Sequence, residues 1–505
     1  MKNYELRITN YKFLAVILLL AVSMPVFAQK NMKIAAVLQP SKSPIVTFRI
    51  QFMTGSADDP KGKEGLADLT STMIAQGGSQ KMTYDEIVGK FYPMAAGFGS
   101  QVDKEMTTFV GQIHNDKRAE YYEIIRQMLL EPGFREDDFK RIKDNQMDFL
   151  KTNLRQSNDE ELGKERLYNI IYAGTPYEHH SVGTISSLEK LTIQDVKDFY
   201  AKNYTQANLV IGMSGGFDTK FTSQMDKDFA KLPKGKTGLK TIPAPVLSNG
   251  MKIDIVQRET RATAISMGFQ IDVKRGHKDF PALALVASYF GQHRSSSSYL
   301  YGRIREVRGL NYGDYAYIEY FPRGMFQFEP DANLARQSQI FQMWIRPVEP
   351  QNANFTFRAA LYEYDKLIKN GIDQKTFDET RAFLMKYVNI LTQTKDAELG
   401  YALDSRYYGI GNYNEYMKTA LSKLTLADVN AAIKKHLTSN KMRVVMVTKD
   451  AEGLKKEIVD NKTGTISYAS PKPADVLAED KIIGTFPIAV KAADVTITPV
   501  NKVFE

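Results

Sequence analysis

The sequence predicts an α+β protein made of two similar halves. Residues 191–196 (LTIQDV) match residues 424–429 (LTLADV), and residues 133–139 resemble residues 371–377 in the same order, roughly 230 residues apart. Two ordered matches favour an internal duplication over chance. Both halves also contain apolar strand-like runs and amphipathic helical segments, so each half is expected to combine a sheet with helices.

The first well-marked strand is predicted at residues 45–52, where apolar and polar side chains alternate. The alternation places three apolar side chains on the inward face: Phe48, Ile50 and Phe52. It places three polar side chains on the outward face: Thr47, Arg49 and Gln51. A strand with this pattern is expected to bury its apolar face.

Two helices are indicated by the spacing of their apolar residues and by residues that typically begin or end a helix. Apolar residues at helical spacing occupy residues 121–129, and Pro132 and Gly133 are expected to end that helix. In the first copy of the repeated segment, Thr192 is a suitable N-cap, with Asp195 at the third helical position.

Proline and glycine are frequent where the two halves meet, near residues 233–245, which is typical of a linker. The sequence therefore predicts five segments: a signal peptide at residues 1–28, a first domain at 29–235, a linker at 236–248, a second domain at 249–460 and a tail at 461–505. Short strand-like pieces in the tail, at residues 489–500, suggest that it packs onto the second half.

The N-terminus has the pattern of a secretory signal. Lys12 precedes an apolar run at residues 13–24, and Val26 to Ala28 before Gln29 fit a small-residue cleavage site. The alternative, a membrane anchor, is disfavoured because about 12 apolar residues are too few to span a bilayer. We expect an exported protein, located in the periplasm of a Gram-negative cell.

Composition excludes several classes of site and partner. The chain has no cysteine, which excludes disulfides, thiolate zinc sites and a cysteine nucleophile. The net charge of +9 is mild for 505 residues, and basic runs with interleaved aromatic residues are absent, so nucleic acid is not an expected partner. After the N-terminal run, no second apolar stretch is long enough for a membrane span.

Residues 65–73 have the pattern of a metallopeptidase zinc helix without its metal-binding residues. An inverted zincin helix carries His-x-x-Glu-His, in which two imidazoles on one helix face hold Zn²⁺ and the Glu deprotonates water. Those three places read Asp68, Ser71 and Thr72. One carboxylate cannot replace two imidazoles, and a Ser hydroxyl is no general base near neutral pH, so no metal site is expected here. Asp68 is interpreted as a solvated or capping carboxylate.

The chain up to about residue 460 resembles the pitrilysin/insulinase family of zinc metallopeptidases. Four features carry the resemblance jointly: the segments 53–67, 175–184 and 289–313, and the two repeated helices beginning near residues 191 and 424. The resemblance implies two similar α/β sandwiches, rich in antiparallel strands, that face each other across a cavity like a clam-shell. It implies a third zinc ligand, a Glu, within residues 143–148, and this chain has no Glu there.

The resemblance also implies two further functional regions. The family's second half contributes an Arg and a Tyr, seven residues apart, and this chain has Arg305 and Tyr312. Both side chains can donate hydrogen bonds to a carbonyl oxygen that gains charge as water attacks. Residues 98–109 are similar to the family's edge strand beside the active site, where an extended peptide can add to the sheet. The expected substrate-binding residues are Phe98, Gly99, Ser100 and Gln101.

Ordinary structural roles remain possible for several of these residues. Arg305 could pair with an acidic neighbour, and Tyr312 could pack in the core. Residues 98–109 could form an ordinary sheet strand. The adjacent His179 and His180 are interpreted as part of a surface loop, because neighbouring side chains diverge and no third metal donor lies near them in sequence.

Three functional hypotheses follow. The first is a non-catalytic subunit of a heterodimeric zinc peptidase: this chain holds no cofactor, a homologous partner with His-x-x-Glu-His carries the zinc, and extended peptides are the substrates. The second is a structural or peptide-binding protein that takes no part in catalysis. The third, which we rank last, is an independently active enzyme with unusual metal ligands.

Overall fold

The computed structural model describes residues 33–236, 241–322, 327 and 329–505. The predicted signal peptide at residues 1–28 lies outside the described residues. The mixed architecture, with helices packed on two sheets, confirms the predicted fold class.

The first half contains a five-stranded sheet with the order β1-β5-β2-β4-β3. Its strands are Ala35–Pro40 (β1), Ile45–Phe52 (β2), Gly97–Val102 (β3), Thr107–His114 (β4) and Leu209–Gly215 (β5). Its helices are Leu66–Gln76 (α1), Tyr84–Phe91 (α2), Arg118–Leu130 (α3), Glu136–Asp148 (α4), Asp159–Ile171 (α5), Ile185–Lys190 (α6), Ile193–Asn203 (α7) and Thr219–Phe229 (α8). β1 and β5 run parallel, and the other neighbours are antiparallel.

The second half contains a six-stranded sheet with the order β11-β6-β10-β7-β9-β8. Its strands are Lys252–Gln257 (β6), Thr263–Ile271 (β7), Asp314–Tyr317 (β8), Gln339–Val348 (β9), Arg443–Thr448 (β10) and Val495–Pro499 (β11). Its helices are Phe280–Gly291 (α9), Ala353–Asn370 (α10), Gln374–Ile390 (α11), Lys395–Tyr408 (α12), Tyr413–Lys423 (α13), Leu426–His436 (α14), Ala451–Val459 (α15) and Ala474–Gly484 (α16).

The two sheets share one topology. The order β6-β10-β7-β9-β8 repeats β1-β5-β2-β4-β3 strand for strand, including the parallel first pair, and β11 extends the second sheet by one strand. The same correspondence pairs α1 with α9, α4 with α11 and α5 with α12, because each helix follows the equivalent strand or helix. The shared topology agrees with the duplication inferred from the sequence.

The repeated segments form equivalent capped helices. Thr192 Oγ1 accepts a hydrogen bond from the Asp195 backbone N–H (3.2 Å), and Asp195 Oδ2 accepts one from the Thr192 N–H (2.9 Å). Thr425 and Asp428 repeat this reciprocal arrangement at the start of α14 (3.2 and 3.0 Å). The predicted cap at Thr192 is confirmed, and it satisfies two N–H groups that the helix start would otherwise leave unpaired.

Each half packs one helix on the sheet of the other half. α5 lies against β7, β9 and β10, and α12 lies against β1, β2 and β5. This exchange corrects the prediction for the polar face of β2, because Arg49 is only 8% exposed and Thr47 and Gln51 2% each. The alternation of side chains was predicted correctly, but α12 covers the face on which the polar residues lie.

The tail packs onto the second half, as the sequence suggested, and it also contacts the first half. β11 pairs with β6, and α16 packs on α10. Beyond β11, however, Val503 and Phe504 join the core of the first half, and Arg155 Nε donates a hydrogen bond to Val503 O (2.7 Å). The last residues therefore connect the edge of the second sheet to the first half.

None of the helices in the described part of the chain is long and apolar enough to cross a membrane.

Candidate functional site

The helix that matches the zinc motif is α1, and a carboxylate holds its first turn in place. Gly65 at the N-cap has φ of +96°, and a Cβ there would come within 2.4 Å of Val182 O, so only glycine fits this turn. Asp59 accepts hydrogen bonds from the backbone N–H groups of Gly65 and Ala67 (2.7 Å each). A negative charge at a helix N-terminus is favourable, so Asp59 stabilises the start of α1.

A glutamine amide contacts Asp68, the residue at the first zinc-ligand position. Gln146 Nε2 donates hydrogen bonds to Asp68 Oδ2 (2.9 Å), Gly65 O (3.2 Å) and Val182 O (3.3 Å). Gln146 lies on α4 within residues 143–148, where the family resemblance implies the third ligand. The sequence has no Glu in this window, and Gln146 was not predicted to be a functional residue, although its place in the window was the available signal.

The surroundings of Asp68 favour its protonated form. Burial, followed by the negative charge of nearby Asp59, raises the pKa of Asp68 to about 7, while the hydrogen bond from Gln146 acts in the opposite direction. Asp68 keeps partial exposure at the wall of a cavity. It is therefore neither the freely solvated carboxylate nor the capping group that the sequence suggested: Asp59 is the residue that caps α1.

The residues at the zinc-motif positions do not fit a zinc ion. Zinc in proteins is held by three or four His, Cys, Asp or Glu donors. Here Gln146 directs an N–H group toward Asp68, Thr72 offers a neutral hydroxyl, and Ser71 Oγ donates to Asp68 O (3.0 Å) and lies 3.3 Å from Ser100 Oγ. Across the described residues, no group of three or more His, Cys, Asp or Glu side chains is placed to share a metal.

The edge strand β3 lines a cavity between the two halves. This central cavity has a volume of about 790 Å³, and its wall includes Asp68 and residues 99–103 of the first half with Tyr320 and Leu334 of the second. Among the described strands, β3 pairs with β4 only, so one of its backbone edges has no sheet partner in this part of the chain. An extended peptide in this cavity could therefore pair with β3 as an added strand.

The predicted substrate-binding residues lie in different surroundings along β3. Gly99, Ser100 and Gln101 line the central cavity. Gln101 Nε2 donates to the backbone oxygens of Ala332 (3.0 Å) and Asn333 (3.3 Å), so this side chain connects β3 to the second half. Phe98 instead stacks on Phe109 with ring centroids 5.7 Å apart.

Arg305 and Tyr312 lie next to each other, as their spacing suggested. Arg305 belongs to a short π-helical segment, Tyr301–Glu306, and Gly309 follows with φ of +69°. The Arg305 guanidinium lies 4.7 Å from the ring centroid of Tyr301 and 5.6 Å from that of Tyr312. Its Nη1 donates to Tyr301 Oη and to Tyr312 O. Tyr312 is 75% exposed, and neither residue is among the described residues that line the central cavity.

His179 and His180 are mostly buried, which corrects their interpretation as a surface loop. Their side chains are 13% and 10% exposed. His179 Nε2 lies 3.1 Å from Asp59 Oδ2, so His179 supports the residue that caps α1. Burial, assisted by the positive charge of Lys104, lowers the pKa of His180 to about 3, so this ring is neutral at physiological pH.

Two family models match consecutive parts of the chain. The model described as "Insulinase (Peptidase family M16)" matches residues 35–185, and the model described as "Peptidase M16 inactive domain" matches residues 190–384. Among curated proteins, a non-peptidase homolog named YmxG from Helicobacter pylori is 20% identical over 412 residues, which cover 80% of this chain and 89% of the relative.

Solved structures show the same fold. A peptidase M16 inactive domain from Pseudomonas fluorescens superposes with a TM-score of 0.70 at 24% identity, covering 82% of this chain and 94% of the other. The periplasmic protease PqqL from Escherichia coli gives a TM-score of 0.64 at 14% identity, covering 90% of this chain and 49% of the other. The two matched models together cover more than half of the chain and show that it belongs to the insulinase family, peptidase family M16.

Proposed function

We propose that this chain is the zinc-free subunit of a heterodimeric peptidase of the insulinase type. In this role it holds extended peptides, while a homologous partner with an intact His-x-x-Glu-His helix supplies the zinc ion and the hydrolytic water. The observation that carries the proposal is that the edge strand β3 lines a cavity of about 790 Å³ beside a site whose side chains cannot hold zinc.

The central cavity supports the peptide-holding role. A peptide strand paired with β3 would satisfy its own backbone groups, so its main chain would supply affinity and any pocket for a side chain would set a sequence preference.

The position of Arg305 and Tyr312 supports a role toward a partner. Tyr312 is exposed, so its hydroxyl can be reached by a substrate bound outside the central cavity. Arg305 lies against the Tyr312 ring, which limits the orientations of that ring. Both side chains would donate hydrogen bonds to the carbonyl oxygen of a peptide held at the partner's zinc.

The test is co-expression of this chain with a relative that carries His-x-x-Glu-His, followed by co-purification and a cleavage assay on unfolded peptides. We expect the pair to cleave, and Arg305→Ala with Tyr312→Phe to lower kcat by about a hundredfold. Arg261→Ala with Tyr92→Phe is the matched control, because both residues are exposed and lie outside these sites. Zinc-dependent cleavage by this chain alone would overturn the proposal.

A second candidate is a structural or peptide-binding protein that takes no part in catalysis. It is favoured because Arg305 donates a hydrogen bond to Tyr301 and packs on the Tyr312 ring, and these residues are not among the described residues that line the central cavity. Under this alternative the pair would retain full activity in the Arg305→Ala, Tyr312→Phe variant.

Export to the periplasm is part of the same proposal. It rests on the signal pattern of residues 1–28, and the structural neighbour PqqL is described as periplasmic. Cell fractionation with N-terminal sequencing of the mature protein should find a chain that begins at Gln29 in the periplasmic fraction.

A further inference from the structure

A second, smaller cavity lies within the second half between α9, β8 and α11. This side pocket has a volume of about 150 Å³. Much of its wall is apolar and comes from the two helices and the residue after α11: Ala284, Ala287, Leu384, Val388 and Leu391. The equivalent place in the first half, between α1, β3 and α4, contains Asp68 and Gln146. The duplication has therefore left an apolar pocket in one half where the other half has a polar cluster.

The side pocket adjoins the central cavity. Tyr320, Asp331 and Leu334 contribute to the walls of both. A peptide that lies along β3 in the central cavity would therefore lie next to the side pocket, separated from it by these three residues.

The charged groups in the wall of the side pocket are already paired. Arg275 Nε donates to Glu319 Oε1 (3.0 Å), and Arg275 Nη1 lies 3.7 Å from Asp404 Oδ2. Asp404 also accepts a hydrogen bond from the Asn333 backbone N–H (3.0 Å). Since a charged ligand would have to displace these buried partners, the pocket selects an uncharged group.

The imidazole ring of His293, which lies in the wall of the side pocket, also has hydrogen-bond partners. The nitrogens of His293 are hydrogen-bonded to Tyr317 Oη and to Gln327 O. Burial lowers the pKa of His293 to about 4, so the ring is neutral at physiological pH. The pocket therefore presents apolar surface and paired polar groups to its contents.

We propose that the side pocket binds one phenyl-sized apolar group, and that the natural source of this group is a phenylalanine side chain of a peptide held in the central cavity. The size supports this choice, because an apolar protein cavity of about 150 Å³ is known to stay dry and to bind benzene. The identification of the source rests on the proposed peptide-holding function; the apolar site itself does not.

The first experiment tests the site with fluorobenzene as a probe. Its binding to the isolated mature chain is measured by ¹⁹F NMR titration. Ala284→Leu should fill the pocket and weaken binding at least tenfold. Ala201→Leu, the same change at an exposed position of α7, should leave binding unchanged. Ala287→Leu is a second filling variant, and circular dichroism melting identifies variants that fail to fold. Absence of saturable binding to the wild-type chain, or unchanged binding in both folded filling variants, would overturn the proposal.

The second experiment tests the source of the phenyl group with two unfolded peptides that differ only in one Phe→Ala change. Because burying a Phe side chain is worth about 1.5–3 kcal/mol, the Phe peptide should bind at least tenfold more tightly to the wild-type chain. This preference should disappear in Ala284→Leu and persist in Ala201→Leu. Fluorobenzene binding without any Phe preference would assign the pocket to free apolar molecules and overturn the peptide source. Neither titration requires a partner subunit, so the heterodimer proposal can fail while this one stands.

Discussion

At the scale of single residues, a hydrogen bond lies at the place where the family resemblance implies a metal. Asp68 occupies the first ligand position of the zinc helix, and Gln146 donates an amide N–H to it from the helix expected to carry the third ligand. An amide that donates to two backbone carbonyls and a carboxyl group ties α1 and α4 together without a cation. These hydrogen bonds hold the two helices together at a site whose side chains do not fit a zinc ion.

The stability of the protein should depend on pH through Asp68. Its pKa is raised from 3.8 to about 7, so between these values the folded protein keeps a proton that the unfolded chain has released. The free energy of unfolding must therefore fall as the pH rises through this window. Asp68→Asn removes the titrating group while keeping an oxygen for Gln146. The free energy of unfolding of Asp68→Asn, relative to that of the wild type, should rise by about 1–2 kcal/mol between pH 5 and pH 8.

Urea denaturation of both proteins at the two pH values measures this change. Asp144→Asn is the matched control, because Asp144 is an exposed carboxylate on α4. A stability difference for Asp68→Asn that is the same at pH 5 and pH 8 would show that Asp68 is ionised in the folded protein as in the unfolded chain.

At the scale of secondary structure, the exchange of α5 and α12 joins the halves. Arg49 on β2 donates to Asp396 at the start of α12 through Nε (2.8 Å) and Nη2 (2.6 Å), and to Asn333 Oδ1 through Nη1 (2.8 Å). Such a two-bond pair between a guanidinium and a carboxylate fixes orientation as well as distance. Arg49 thereby positions α12 on the first sheet.

Removing one partner of this pair should weaken the packing of α12. Because the side chains of Arg49 and Asp396 are 9% and 29% exposed, Arg49→Ala should cost about 2 kcal/mol of unfolding free energy, somewhat less than for a fully buried pair. A double-mutant cycle with Asp396→Ala should give a coupling energy of about 1–2 kcal/mol. Lys395→Ala, which removes an exposed pair on the same helix, should cost below about 0.5 kcal/mol. A coupling energy within about 0.3 kcal/mol of zero would mean that α12 is held by apolar contacts alone.

Local features were predictable from the sequence, and contacts between distant segments were not. The caps at Thr192 and Thr425 each depend on two residues that are three positions apart, so they can be recognised in the sequence. The burial of Arg49 depends on a helix more than 340 residues away, and the contact of Phe504 with the first half also crosses the whole chain. The loss of the zinc motif was visible in the sequence, but the hydrogen bond from Gln146 to Asp68 required the packing of α1 on α4.

At the scale of the whole molecule, buried polar pairs tie the halves together. Arg336 donates through Nε to Asp103 Oδ2 (2.7 Å), and both side chains are 2% exposed. Glu105 of the first half accepts hydrogen bonds from Gln337 N (2.7 Å) and Tyr407 Oη (2.7 Å) of the second. Separating the halves would expose these groups to solvent or leave them without partners. The free-energy cost would be several kcal/mol for the buried ion pair alone. A peptide is therefore expected to enter the central cavity without separation of the halves.

A disulfide between α5 and β7 tests this expectation. A Cβ built on Gly163 lies 4.0 Å from Ser266 Cβ, within the usual range of about 3.5–4.5 Å for bridged cysteines. The chain has no other cysteine, so Gly163→Cys with Ser266→Cys can form only this bond within one molecule. We expect the oxidised variant to melt at a higher temperature than its reduced form and to bind an unfolded peptide with the same Kd within about twofold, because the packed halves already leave the cavity accessible. The two single-cysteine variants control for the substitutions themselves. Peptide binding that is lost on oxidation and restored by reductant would show instead that α5 must leave the second sheet before a peptide can enter.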